Sequence, residues 1–162
     1  MSLTGYLLID DIPGESKRAE HEDEIDVHGV HWNIEQMSSA ARGSGRTQSR
    51  AQVDSLTCFK ETDASSVYLA LACMQGKSIP SATLALRKDS GEAHLDYLII
   101  TMENVVVTKF EMENDGSDEN DQVVTEKLSL SFESVNMKYT IQADDHSAGD
   151  EHEVDFDIVA GA

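Results

Sequence analysis

Residues 63–110 read DASSVYLALACMQGKSIPSATLALRKDSGEAHLDYLIITMENVVVTKF, a helix followed by a hairpin of strands. From Val67 to Met74 the side chains are apolar without a break, so a helix here has no clean polar face and is normally covered on more than one side. In so small a chain a neighbouring copy is a natural second cover, which favours an assembly subunit over a free-standing enzyme. Asp63, Ser65 and Ser66 supply N-cap oxygens, and Gly76 is a ready residue just past the last turn. The spacing predicts a helix over about residues 64–75, roughly 18 Å long. Beyond it Pro80 opens a strand with Ala82, Leu84 and Leu86 on one face, and Asp89-Ser90-Gly91 turns the chain back. Residues 94–113 form a long strand, with Tyr97 and Ile99 on one face and Leu98 and Ile100 on the other. A strand apolar on both faces is covered on both sides.

Outward from this stretch the period is two. Residues 5–9 form a short strand closed by a Pro-Gly turn. From Ile25 the apolar positions alternate through Val27, then Val30, Trp32 and Ile34, with the parity changing at Gly29, where a bulge or bend is expected. Residues 52–60 alternate again. Leu128, Leu130 and Phe132 share one parity while Val135, Met137, Tyr139 and Ile141 share the other, so the chain turns a corner at Glu133–Ser134. A last strand runs from Val154 to Val159. No internal repeat or linker divides the sequence, and residues 1–162 are expected to form one domain.

Charge removes several classes of function. Thirty-one acids stand against 12 bases, for a net charge of -19. Nucleic acid and anionic membrane surfaces are disfavoured, and copies of the chain repel one another. Any self-assembly must overcome that repulsion or be screened by salt, and a halophilic source would fit. The N-terminal MSLTGYLLIDDIPG lacks a basic region and loses its apolar run at Asp10, so neither a signal peptide nor a membrane span is expected there. Cys58 and Cys73 sit among apolar neighbours and read as buried free thiols.

The polar segments carry no chemistry that the spacing supports. ESKRAEHEDEID (15–26) reads as a solvated loop; Glu20, Glu22, Asp23 and Glu24 have no cation-ligand spacing. His28 and His31 read as solvent-facing or hydrogen-bonded strand histidines. EMENDGSDENDQVVTE (111–126) departs from a calcium loop at its glycine and its closing Glu and reads as a solvated hairpin tip. DDHSAGDEHE (144–153), with His146 and His152, is read as a third acidic loop. SSAARGSGRTQS (38–49) reads as a long loop whose GSGR lacks the rest of a dinucleotide fingerprint or a P-loop. Arg42, Arg46 and Arg50 gather three of the 12 bases here, suited to an acidic surface on another copy. There is no nucleophile elbow, no His-Glu-x-x-His and no Cys with partners, so no catalytic residue, metal or cofactor is assigned.

Three stretches together carry a resemblance: IPGESKRAEHEDEIDVHGVHWNIEQ (12–36), LTCFKETDASSVYLALACMQGKSIPSATLALRK (56–88) and LDYLIITMENVVVTKF (95–110). Their order and spacing, with the Gly-Glu-Ser start, the Cys-Met-x-Gly-Lys helix end and the Tyr-Leu-Ile-Ile strand, resemble Hcp, the haemolysin-coregulated protein of type VI secretion. The arginines in the glycine loop and the length of the last two acidic runs depart from that pattern. The resemblance implies a mainly β fold: a small β-barrel of two packed antiparallel sheets with one helix at its side. It further implies hexameric rings that stack into a hollow tube, propelled from the bacterial cytoplasm by a contractile sheath with spike and baseplate proteins. Small effectors are carried in the lumen; no enzyme activity, signal peptide or fused toxin domain is expected. Ring contacts are expected at strand edges, at the helix side through Val67, Tyr68 and Leu71, and at the loop bearing Arg42, Arg46 and Arg50. The alternative reading is an acidic β-barrel that binds a cation such as calcium.

Overall fold

The computed structural model describes residues 3–39, 47–48, 50–90 and 93–162, with the backbone alone at 38, 39, 47, 48 and 90. Strands run β1 (Thr4–Leu8), β2 (Ile25–Val27), β3 (Gly29–His31), β4 (Ile34–Glu35), β5 (Ser38–Ser39), β6 (Thr47–Gln48), β7 (Gln52–Val53) and β8 (Leu56–Glu61). Helix α1 (Ser66–Gln75) follows, then β9 (Ser78–Ser90), β10 (Ala93–Glu113), β11 (Thr125–Ser131), β12 (Ser134–Gln142) and β13 (Ala148–Asp157). The mainly β architecture with one helix is as the sequence implies. Its main sheet, antiparallel throughout, is ordered β2-β1-β9-β10-β11-β8-β3, with β12 and β13 branching from β10; β4–β7 and β5–β6 are separate short pairs.

The expected barrel is not closed by strand ladders. The two ends of the ordered path, β2 and β3, are consecutive in the chain, pairing with β1 and β8 respectively. One bent segment therefore bridges the gap, and the His28 N–H donates to the Phe59 carbonyl at the bend (2.9 Å). The parity change at Gly29 marks this exchange of partners.

β10 is the spine. It pairs with β9 over Ala93–Val106, with β12 over Leu98–Glu103 and with β11 over Val106–Glu113. Asn104 lies at the changeover with φ of 52°, a left-handed conformation that Asn tolerates better than most residues. Its side-chain amide donates to Glu133 Oε2 (3.0 Å), and the Glu133 N–H donates to the Glu103 carbonyl (3.0 Å). The corner read at Glu133–Ser134 is thus fixed to the kink in β10. Around the spine, Leu7, Ile25, Leu56, Cys58, Leu69, Leu84, Met102, Val105, Leu128 and Leu130 form the core, all fully buried.

Three expectations change. The acidic stretch 144–153 is only partly a loop, because β13 begins at Ala148 and pairs with β12 from there. The 15–26 segment is not simply solvated: Ser16 and His21 are buried, and the Gly14 and Ser16 N–H groups donate to the Asp23 and Glu24 carbonyls (2.8 and 3.0 Å). The outer part of β10 is covered less than expected, since Tyr97, Leu98 and Ile99 are only half-buried while Ile100 is buried.

Candidate functional site

Helix α1 is held at both ends by its own sequence. Asp63 Oδ1 accepts the Ser65 N–H (2.9 Å) and the Ser65 hydroxyl, while the Asp63 N–H donates to Ser66 Oγ (3.0 Å). Ser65 stands at the N-cap without a side-chain cap bond, and Asp63 and Ser66 instead fasten the turn that leads into the helix to each other. At the other end Gly76 adopts φ of 61°, Gly76 N–H donates to Cys73 O (3.3 Å) and Lys77 N–H to Ala72 O (3.0 Å). This pair of bonds is the Schellman arrangement.

Beneath the cap lies a polar group that sequence reading missed. Lys60 and Glu126 are cross-strand partners on β8 and β11, and both side chains are fully buried. Lys60 Nζ donates to Glu126 Oε1 (2.7 Å), the Glu61 carbonyl (2.9 Å) and Ser66 Oγ (3.0 Å), and lies 3.2 Å from Asp63 Oδ1. The Ser66 hydroxyl donates in turn to Glu126 Oε1 (3.0 Å). The reading of residues 111–126 as a solvated hairpin tip fails for Glu126. Its inward parity with Leu128 and Leu130, opposite Lys60 in line with Leu56 and Cys58, is the signal that was available.

So anchored, α1 turns two faces in different directions. Leu69 and Ala72 are buried, whereas Val67, Tyr68, Leu71 and Met74 are 68%, 53%, 45% and 78% exposed. The three helix residues singled out from sequence therefore all point outward, and Met74 joins them. No acid occupies the first turn and no base the last. Arg50 is exposed, and its guanidinium donates to the Val159 carbonyl of the C-terminal turn (3.1 Å). Arg42 and Arg46 lie outside the described residues.

A second fastening holds the 14–24 loop. The His21 ring stacks on Tyr6 (4.4 Å between centroids, 7° apart). Its Nδ1 lies 3.0 Å from both Glu24 oxygens and its Nε2 2.8 Å from Asp96 Oδ2. Asp96 Oδ1 accepts from Arg87 Nε (2.8 Å), and Arg87 reaches on to Glu20 (3.1 Å). Between this loop and the helix cap lies a cleft of about 450 Å³ edged by Glu15, Asp26, Glu61 and Asp63. Glu15 there accepts the Ala64 N–H (2.8 Å). Partial desolvation, and then Asp63, hold the Asp26 carboxyl above its ordinary range, with Glu15 and Glu61 adding to the effect.

The acidic hairpin tip is turned on itself. Asp115, Asp118 and Asp121 accept the N–H groups of Ser117, Asn120 and Val123 at 2.8, 3.0 and 3.0 Å. Among the described residues no three His, Cys, Asp or Glu side chains are gathered to hold a metal ion. His28 and His31 are exposed. Both cysteines are free; Cys58 is buried, and its burial pushes the thiol up to about 12, whereas Cys73 is half-buried rather than buried as expected.

Residues 6–139 match a family model described as type VI secretion system effector, Hcp. Protein hcp1 of Pseudomonas aeruginosa is 34% identical over 145 residues, covering 90% of this chain and 88% of its own. Among solved structures, Hcp1 from Salmonella typhimurium is similar with a TM-score of 0.79 and 31% identity, over 99% of this chain and 97% of that one. A structure described as a type six secretion system protein reaches a TM-score of 0.90 over 99% and 98% of the two chains, and at 22% identity it speaks for the fold alone.

Proposed function

The chain belongs to the Hcp family of type VI secretion tube proteins, and we propose from this that its copies close into hexameric rings which stack into the secretion tube. In this reading the tube is assembled in the bacterial cytoplasm, propelled out by sheath, spike and baseplate proteins, and carries small effectors in its lumen. The single observation that supports the ring is the outer face of α1. Val67, Tyr68, Leu71 and Met74 are presented to solvent by a helix whose ends and underside are fixed. An isolated chain gains nothing from holding such a face out. Contiguous exposed apolar patches of this kind mark interaction sites.

Net charge sets the conditions of the test. With -19 per copy, ring formation should strengthen as salt screens the repulsion. Light scattering and negative-stain imaging over a salt series are expected to give six-fold rings. A chain that stays monomeric from low to high salt refutes the proposal.

A further inference from the structure

His21 fastens the 14–24 loop to the sheet, and its two ring nitrogens face the same chemistry. Nδ1 lies 3.0 Å from both oxygens of Glu24, within the loop, and Nε2 lies 2.8 Å from Asp96 Oδ2 on β10. An ionised carboxylate only accepts hydrogen bonds, and a neutral imidazole carries a single N–H. Both contacts are therefore hydrogen bonds only when the ring carries a hydrogen on each nitrogen. With one hydrogen fewer, a nitrogen lone pair is left against a carboxylate oxygen. The His21 and Glu24 side chains are 9% and 11% exposed, so water has little room to step between them.

The remaining charged and titratable neighbours are engaged with one another. Tyr6 of β1 stacks on the ring, and its hydroxyl accepts from Arg18 Nε (3.2 Å). Arg18 also reaches Asp89 (2.9 Å), which holds His94 (2.6 Å). Arg87 of β9 donates to Asp96 Oδ1 (2.8 Å) and to Glu20 Oε2 (3.1 Å), which leaves Asp96 Oδ2 to His21.

The loop held in this way is strained. Glu20 and Asp23, on either side of His21, adopt φ of 74° and 60°, the left-handed region that residues other than glycine populate sparsely. Such backbone persists only where its surroundings hold it. Near the start of the loop Glu15 accepts the Ala64 N–H at the entry to α1 (2.8 Å), so the fastening of the loop extends to the helix.

We propose that the 14–24 loop is a proton-dependent latch, closed while His21 bears a hydrogen on each ring nitrogen and released when one is lost. The closed loop holds a proton that the open loop gives up, so acid favours closure. As pH rises the ratio of open to closed grows by up to about tenfold per pH unit. Imidazole is the side chain suited to this range of pH. Release also frees Glu15, and with it the turn that leads into α1. The latch belongs to the single chain and works whether or not copies assemble.

The test uses the full chain, dispersed at low salt. Nitrogen-resolved NMR of the imidazoles is expected to find both N–H groups on His21 at a pH where the histidines of the urea-unfolded chain have lost one. Hydrogen exchange at the Gly14, Ser16 and Ala64 amides, divided by the intrinsic base-catalysed rate, is expected to rise between about pH 6 and pH 9 while the β9–β10 amides stay protected. His21→Gln has no such proton to lose, and its loop is expected to exchange fast at every pH. Asp96→Asn is expected to do the opposite: the new side-chain oxygen still accepts from Arg87 and its amide donates to an unprotonated Nε2, so the loop stays shut at the alkaline end. A His21 ring with a single N–H in the closed loop at about pH 6 overturns the proposal. So does corrected loop exchange in the parent chain that is flat with pH, or an Asp96→Asn loop that opens with pH as the parent does. The first two readings need no variant, so they decide the matter even if a substituted chain fails to fold.

Discussion

Removing the buried ammonium group of Lys60 tests the anchor beneath α1. In Lys60→Met the side-chain volume is nearly kept, but Glu126 loses the donor at 2.7 Å, and the Ser66 hydroxyl at 3.0 Å is the partner that remains to it. Glu126 Oε2 already has no hydrogen-bond partner, and the side chain is fully buried, so water cannot take over without opening the β8–β11 pair. Breaking a buried ion pair by removing one member costs about 3–5 kcal/mol, because an uncompensated charge is left behind. For a chain of this size that corresponds to a fall in Tm of roughly 6–20 °C, at about 2–4 °C per kcal/mol. The double variant Lys60→Met/Glu126→Leu removes both charges and should recover most of the loss, since apolar replacement of a whole buried pair is often neutral or stabilising. Urea unfolding at one fixed protein concentration separates these effects from assembly, which would raise apparent stability by mass action. A single variant that loses less than about 1 kcal/mol would refute the reasoning, as would a double variant as unstable as the single one.

Thiol reactivity should separate the two cysteines: at pH 8 iodoacetamide is expected to label Cys73 in the folded, dispersed chain and Cys58 only after unfolding, because burial pushes the Cys58 thiol up to about 12. Peptide mapping that finds equal labelling would contradict the burial. For Asp26 the folded carboxyl is raised above its unfolded value, so the folded state binds the proton more tightly and stability falls as pH rises through that raised range. Asp26→Asn should therefore stabilise the chain at pH 7, with the gain shrinking on acidification and gone below 3.8; a gain independent of pH would rule out this origin. Gly14→Ala and Gly76→Ala should differ in kind. A Cβ at Gly14 would lie 2.5 Å from the Glu24 carbonyl oxygen and must displace the loop, whereas one at Gly76 meets nothing and costs only the left-handed conformation, about 1–2 kcal/mol. Thermal melts showing Gly76→Ala as the more damaging change would contradict that ranking.

Much of this architecture is legible in residue order because the determining signals are local. Asp63, Ser66 and Gly76 do mark the ends of α1, and the parity switch at Glu133–Ser134 does mark the corner between β11 and β12. The outward set Val67, Tyr68 and Leu71 follows from an apolar run too long for one buried face, although only the packing of Leu69 and Ala72 shows which side is free. What stayed hidden depends on residues far apart in the chain. His21 is a loop histidine until Asp96 arrives from β10 and Tyr6 from β1. Residues 148–153 are strand because β12 offers an edge; exposed on both sides, they show no alternation until Val154. Lys60 and Glu126 were visible as inward positions only to a reading that put parity before polarity.

The spine formed by β10 also dictates an order of events during synthesis. β1 finds its central partner in β9 (Gly5 opposite Leu86), and β8 finds its own in β11 (Leu56 opposite Leu130), so both wait for sequence far downstream. The two halves of the sheet are joined only when residues 93–113 have been made, because β10 lies between β9 and β11. The emerging N-terminal half can form the local pairings of β1 with β2, β3 with β8, β4 with β7 and β5 with β6. Topologies dominated by distant pairings fold slowly, and their unpaired strands are exposed to association meanwhile. The heavy negative charge that opposes assembly of finished copies therefore has an earlier use: it keeps unfinished chains apart until the spine is in place.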